Sequence, residues 1–366
     1  MIVSCQGLEL SEALIRVSKA ISNKITNPIL EGIKIIAEDN TLILSATDTE
    51  LSIEKKIKAE VKVEGETVVP GRFITEFVKK LTNSIIELEV NDKNKMTISY
   101  EESQSVIQCY NPVEYPGFKK VDTKDCIGIS QKDFKSCVSK TIFAVSLDDS
   151  RPILKGVLFD INKNELSVVA LDGYRLANVK KSVKSNIERN IVLPARSLSE
   201  LSKLMDEDDK IINVYIDQYT IMVDLGDTKV TSRLLEGEYI PYKKIIPANY
   251  ESFVTVNKAQ FEEALERATL LSKTNGSNYV NFDIKENNIC LTSNSELGDL
   301  RENIAVTLQG KDISISFNPR YFLESLKVVN NEFVKICFID QTKPCVIVPT
   351  TNNEFLYLIL PVRKNA

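Results

Sequence analysis

One short pattern, written three times at a fixed interval, constrains this chain more than anything else in it. Val-Val-Pro-Gly-Arg-Phe-Ile-Thr-Glu-Phe-Val-Lys at 68–79 returns as Val-Leu-Pro-Ala-Arg-Ser-Leu-Ser-Glu-Leu-Ser-Lys at 192–203 and as Ser-Phe-Asn-Pro-Arg-Tyr-Phe-Leu-Glu-Ser-Leu-Lys at 316–327. The arginines Arg72, Arg196 and Arg320 are each 124 residues apart, with Glu76, Glu200 and Glu324 following at i+4 and Lys79, Lys203 and Lys327 at i+7. An apolar run passing through proline into such a spacing predicts a strand feeding a short helix. Residues seven apart share one helix face, so Arg and Lys project together.

The period divides the 366 residues into three units. Other motifs keep the same step. Asn27-Pro28-Ile29-Leu30 returns as Arg151-Pro152-Ile153-Leu154, Gly32 as Gly156, Asp48 as Asp172, and Glu114-Tyr115-Pro116-Gly117 as Glu238-Tyr239-Ile240-Pro241. Proline-bearing segments at 111–122 and 239–250 read as linkers, giving domains at 1–122, 123–249 and 250–366.

Within the first unit, Leu10 to Ile21 has helical spacing, with Arg16 and Lys19 on its polar side and Lys24 just beyond. Alternating runs at 32–37 and 42–47 flank Glu38-Asp39-Asn40, a hairpin turn, and further strands are expected at 51–59, 85–90, 95–100 and 105–110. The third unit keeps a helix at 258–271 and a hairpin around 285–288. The expected class is α+β, with antiparallel sheets and two helices per unit.

Catalytic chemistry is poorly supplied. There is no histidine, which removes the commonest general base and most zinc sites. Gly310-Lys311-Asp312 lacks the hydroxyl residue and upstream glycine of a phosphate-binding loop. Asp206-Glu207-Asp208-Asp209 lacks the glycine and distal glutamate of a calcium loop and reads as a solvated turn, as does Asp148-Asp149. No cofactor and no metal are expected. Seven scattered cysteines without a Cys-x-x-Cys pair read as reduced core thiols. With no signal-peptide pattern and no long apolar run, the expected location is the cytoplasm, with no membrane partner.

Basic helices remain to be explained. The net charge is −5, but a polyanion responds to the local field. Arg16, Lys24, Arg72, Lys79 and Lys80 in the first unit, Lys135, Lys140, Arg196 and Lys203 in the second, and Arg320 and Lys327 in the third form candidate nucleic-acid contacts. The bland reading is surface Arg–Glu pairing at i, i+4. Arginine at a helix start opposes the macrodipole, however, and Arg before Glu is the weaker orientation, so a role outside the helix accounts better for the recurrence.

Ser150-Arg151-Pro152-Ile153-Leu154, Leu171-Asp172-Gly173-Tyr174-Arg175-Leu176 and Leu360-Pro361-Val362-Arg363 together resemble the bacterial DNA sliding clamps, the beta subunits of DNA polymerase III. The resemblance covers the whole chain. It implies three clamp-type domains per chain and a head-to-tail homodimer forming a six-domain ring that encircles double-stranded DNA without sequence preference. It also implies tethering of the replicative polymerase, with the clamp loader, repair polymerases and other proteins bearing clamp-binding motifs as further partners, and a nucleoid-associated location.

Residue by residue, the resemblance gives Lys24 and Arg196 DNA-contacting roles. Its partner-peptide pocket maps onto Leu154, Leu171, Gly173, Tyr174, Arg175, Leu176, Pro241, Lys244 and Ile245, together with Asn318, Tyr321, Leu360, Pro361, Val362 and Arg363. Its dimer contact falls near Val106, Leu270 and Leu271. Leu171, Tyr174, Ile240-Pro241 and Ser277 depart from the commoner family pattern and bear on peptide preference. The competing reading is a repeat scaffold that binds peptides without DNA, and an enzyme is disfavoured.

Overall fold

The computed structural model describes residues 1–21, 27–118, 120–272 and 279–362. Element order repeats three times as strand, helix, three strands, then strand, helix, three strands, with the short strands Glu60–Val63 and Lys184–Ser185 as additions. The helices are α1 (Gly7–Ser18), α2 (Gly71–Val78), α3 (Gln131–Ser139), α4 (Ala195–Leu204), α5 (Lys258–Ser272) and α6 (Pro319–Lys327). Each thrice-written stretch is the expected strand-to-helix passage into α2, α4 or α6.

The sequence explains which face each helix buries. In α2, Gly71, Ile74, Thr75 and Val78 are buried at i, i+3, i+4 and i+7, and in α4 Ser197, Leu198, Leu201 and Leu204 are buried at i, i+1, i+4 and i+7. Arg72 and Lys79, like Arg196 and Lys203, fall on the opposite side and are exposed. Asn318 caps α6 by accepting from the Arg320 amide at 3.0 Å. At the start of α1 a side chain on Gly7 would collide with the Leu81 carbonyl, so the close approach requires glycine there.

Several boundaries differ from the sequence reading. Helix α1 begins and ends three residues earlier than expected, because Gln6 and Gly7 follow directly from the strand Ile2–Gln6. The strand expected at 105–110 runs Ser103–Gln108, displaced by a tight turn with Glu101 at φ 50°. The two hairpin turns are as expected. Asp39 and Asn40, and later Glu286 and Asn287, all take positive φ, as a two-residue turn between right-twisted strands demands.

The chain forms two compact units whose limits do not follow the repeat. One comprises Met1–Lys132 with Arg196–Leu234, the other Asp133–Ala195 with Leu235–Ala366. Strand pairing across repeats is the cause. In the first unit the strand Thr228–Arg233 of the second repeat pairs with Leu51–Lys58 of the first, with Thr231 opposite Ser52. In the second unit Phe355–Ile359 of the third repeat pairs with Arg175–Ser182 of the second, with Leu358 opposite Leu176. The middle repeat thus divides its strands between the two units.

The first unit also holds a five-stranded antiparallel sheet ending on Ser103–Gln108. The second holds one twelve-stranded sheet. Its third-repeat core is a ring cluster in which Phe261, Phe282, Phe317 and Phe322 meet at centroid distances of 5.1 to 5.9 Å.

Six of the seven cysteines are buried, and none forms a disulfide. Burial pushes the Cys5 and Cys137 thiols up to about 12, so neither is a thiolate at neutral pH. Among the described residues, no cluster of His, Cys, Asp or Glu could hold a metal ion, and no helix is long and apolar enough to cross a membrane.

Candidate peptide groove and basic helix faces

In the second unit an apolar floor is built where two repeats meet. Leu154, Leu171, Leu176, Tyr242 and Leu358 are buried together, with Tyr239 and Ile240 packed against them. Asp172 fixes the turn above this floor. Its Oδ1 accepts from the backbone amides of Tyr174 and Arg175 at 2.9 and 3.0 Å, and Gly173 takes φ 95°, a conformation side chains resist.

The turn leaves the Tyr174 ring 63% exposed, stacked on Tyr321 of α6 at 6.4 Å and 22°. The Leu360 amide donates to the Tyr174 carbonyl at 2.9 Å, and Val362 donates to the Ser316 carbonyl at 2.8 Å. Leu360, Pro361 and Val362 are therefore held as a half-buried edge beside two aromatic rings.

Arg175 locks these parts. Its Nε donates to Asp172 at 3.0 Å, one terminal nitrogen donates to Glu324, and the other donates to the Phe143 carbonyl at 2.6 Å. The guanidinium also lies 4.7 Å from the Tyr321 ring centroid. Burial pushes the Glu324 carboxyl up, but hydrogen bonds from Arg320 and Arg175 and their charges outweigh it, holding the group below its ordinary value.

Of the residues expected at this pocket, Leu154, Leu171 and Leu176 form the floor, Gly173 and Arg175 shape and brace the turn, and Tyr174, Tyr321 and Leu360–Val362 lie beside it. Asn318 serves as the α6 cap, and Pro241, Lys244 and Ile245 are exposed on the segment that brings Tyr242 in. Arg363, Lys24 and Ser277 lie outside the described residues. Sequence reasoning missed Leu358, Tyr242, Phe143 and the tie from Arg175 to Glu324. The recurrence of Asp172 at the repeat step was the one available signal for the braced turn.

The basic residues differ in exposure. Arg72, Lys79, Lys80, Arg196, Lys203, Arg320 and Lys327 are exposed, while Arg16 and Lys135 are half-buried. The expected Arg–Glu pair forms in α6, where Arg320 Nε donates to Glu324 at 2.6 Å. Glu76 of α2 pairs with Lys79 at 3.8 Å, and Glu200 of α4 with Lys203 at 2.7 Å. Arg196 reaches Asp48, and Arg16 of α1 and Lys19 just after it donate to the carbonyls of Leu204 and Lys203 at the end of α4.

Lys140 is a correction. Expected on an exposed basic face, its ammonium is instead only 13% exposed and bonds Glu354 at 2.9 Å, beside Lys181. It sits at the end of α3, where the acidic strand start draws it inward. At the expected subunit contact, Val106 is 59% and Leu270 70% exposed, whereas Leu271 is half-buried.

Three family models match in succession: the N-terminal domain of the DNA polymerase III beta subunit over residues 1–119, its central domain over 128–241 and its C-terminal domain over 243–363. The beta sliding clamp of Staphylococcus epidermidis is 35% identical over 356 residues, covering 94% of each chain, and that of Staphylococcus aureus is 34% identical over the same span. The crystal structure of the DNA polymerase sliding clamp from Bacillus subtilis superposes with a TM-score of 0.96 at 31% identity, covering both chains completely.

Proposed function

We infer the function from one premise: the chain belongs to the DNA polymerase III beta subunit family, the bacterial sliding clamps. Three consecutive domain models spanning residues 1–363 carry that premise. The protein is a DNA sliding clamp, a processivity factor in DNA replication, and a scaffold that never meets DNA is not favoured.

Domains run 1–122, 123–249 and 250–366, and two chains close head to tail into a six-domain ring. The unpaired outer edge of Ser103–Gln108, with Val106 exposed on it, supports this, since a free strand edge is a template for another chain. The clamp is non-catalytic and works in the cytoplasm on the nucleoid.

Exposed cations on α2, α4 and α6 suit phosphate contacts, which are independent of sequence and yield readily to salt, as sliding requires. Retention then comes from encirclement. The apolar floor from Leu171 and Leu176, which flank the turn carrying Tyr174, suits short linear peptides from the replicative polymerase, the clamp loader and repair polymerases.

The test is topological. Loaded onto nicked circular duplex, the protein stays bound through a high-salt wash and is released when the circle is cut. Equal loss from circular and linear DNA overturns the encirclement reading.

A further inference from the structure

The braced turn that frames the apolar groove has a counterpart in the first unit, one repeat earlier. Asp48 Oδ1 accepts from the amides of Glu50 and Leu51 at 3.1 and 2.8 Å, as Asp172 does from Tyr174 and Arg175. The Arg233 amide donates to the Glu50 carbonyl at 2.8 Å, as Leu360 does to Tyr174. Ser52 faces Thr231 as Leu176 faces Leu358. The backbone hydrogen bonds and strand register therefore correspond at the two places.

The first-unit copy encloses a cavity of about 190 Å³, lined among others by Thr47, Ser52, Phe118, Thr231, Glu50 and Arg233. That volume is below the roughly 300 Å³ at which small-molecule pockets begin, and it fits one or two side chains of a peptide. Where the second-unit groove has Leu171, Leu176, Leu358 and Leu360, this one has Thr47, Ser52, Thr231 and Arg233. Hydroxyls and a guanidinium replace four leucines on one scaffold.

The polar groups select the ligand. Thr47 and Ser52 share a hydrogen bond at 2.7 Å, so part of the lining is already satisfied. The Arg233 side chain is exposed and has no ion pair or hydrogen bond among the described residues. A guanidinium offers paired donors that match a carboxylate. Glu50, exposed on the same cavity, opposes a run of acids and so favours a single carboxylate, and Phe118 offers a half-buried apolar face beside it.

We propose that this cavity is a second peptide site, specific for an extended segment bearing one acidic side chain, distinct from the apolar groove of the second unit. The proposal rests on the reading of that groove as a peptide site. Two docking sites of different chemistry on one chain would let two partners be held at once.

The experiment uses the full chain and two acetylated, amidated probes, Gly-Ser-Asp-Phe-Ser-Gly and a leucine- and phenylalanine-rich peptide of equal length. Hydrogen exchange on the acidic probe is expected to protect residues 47–52 and 228–234 and leave 171–176 unchanged. Asparagine for aspartate in the probe, or Arg233→Leu in the protein, weakens binding about tenfold, the loss of one charge-assisted pair. Thr231→Val, which keeps shape, serves if Arg233→Leu fails to fold, and it is expected to weaken the acidic probe alone. Protection at 171–176 by the acidic probe, no protection anywhere, or equal binding of the asparagine probe overturns the proposal. The apolar probe protecting 171–176 upholds the groove reading independently, and its failure to do so sinks that reading whatever the acidic probe does.

Discussion

Arg175 donates a hydrogen bond to Glu324 across 149 residues of chain, tying the turn of the second repeat to the signature helix of the third. Glu324 also takes Arg320, so Asp172, Arg175, Glu324 and Arg320 form one alternating ladder. In the first unit the same connection is shorter. Leu51 stands where Arg175 would, and Arg196 of α4 reaches Asp48 directly.

The ladder predicts unequal costs along its length. The Arg175 side chain is 10% exposed and Arg320 70%. Replacing Arg175 by Met removes a largely buried guanidinium from Asp172, Glu324 and the Phe143 carbonyl and is expected to cost about 3 kcal/mol. Arg320→Met, at a solvated pair, costs about 0.5 kcal/mol. Urea unfolding of both variants checks this, and equal losses would contradict the ladder.

DNA contact by the exposed helix lysines predicts a change in salt dependence. Lys79, Lys203 and Lys327 are all more than half exposed, each beside a glutamate. Neutralising the three to Gln is expected to flatten the slope of log K against log salt by up to about 2.7, while Tm hardly moves. An unchanged slope with normal folding would remove these residues from the DNA surface.

How far the sequence revealed these features depends on their range. The 124-residue step exposed the signature helices and the Asp48 and Asp172 turns, because each is a local pattern with its own geometry. The two compact units were hidden, since pairing of Thr228–Arg233 with Leu51–Lys58 leaves no mark in either strand alone. The groove floor was half legible. Leu154 and Leu176 stand in quotable motifs, but Leu358 joins them through a strand register that only the fold supplies. Lys140 misled because a lysine's spacing on a helix says nothing of an acid placed 214 residues away.

That acid, Glu354, makes a pH prediction. Burial pushes its carboxyl up, but Lys140 and Lys181, at 2.9 and 3.0 Å, prevail and hold it below the ordinary 4.5. The unfolded chain thus binds the proton more tightly, and stability rises with pH across this range. The contribution is complete above about pH 5 and is lost as pH falls through the depressed native value. Glu354→Gln removes the linkage. Denaturant midpoints between about pH 6 and 3 should fall less steeply in the variant, whose neutral-pH stability is lower because Lys140 loses its carboxylate and Lys181 keeps only Asp133. Parallel pH profiles would refute the assignment.

The last prediction separates binding from folding at the apolar groove. Tyr174 is exposed, and its ring touches Tyr321 without filling the core, so Tyr174→Ala is expected to change stability by less than about 0.5 kcal/mol. An exposed aromatic over an apolar floor is the kind of residue that dominates peptide binding, and its loss should weaken an apolar clamp-binding peptide by about tenfold or more. Leu360→Ser acts from the facing edge with a similar loss, since its amide bond to the Tyr174 carbonyl survives the change. Fluorescence anisotropy with one labelled peptide measures both variants, and sedimentation shows whether the solution mass is unchanged. Undiminished peptide affinity in Tyr174→Ala would move the site elsewhere, and a fall in mass would assign this edge to the subunit contact instead.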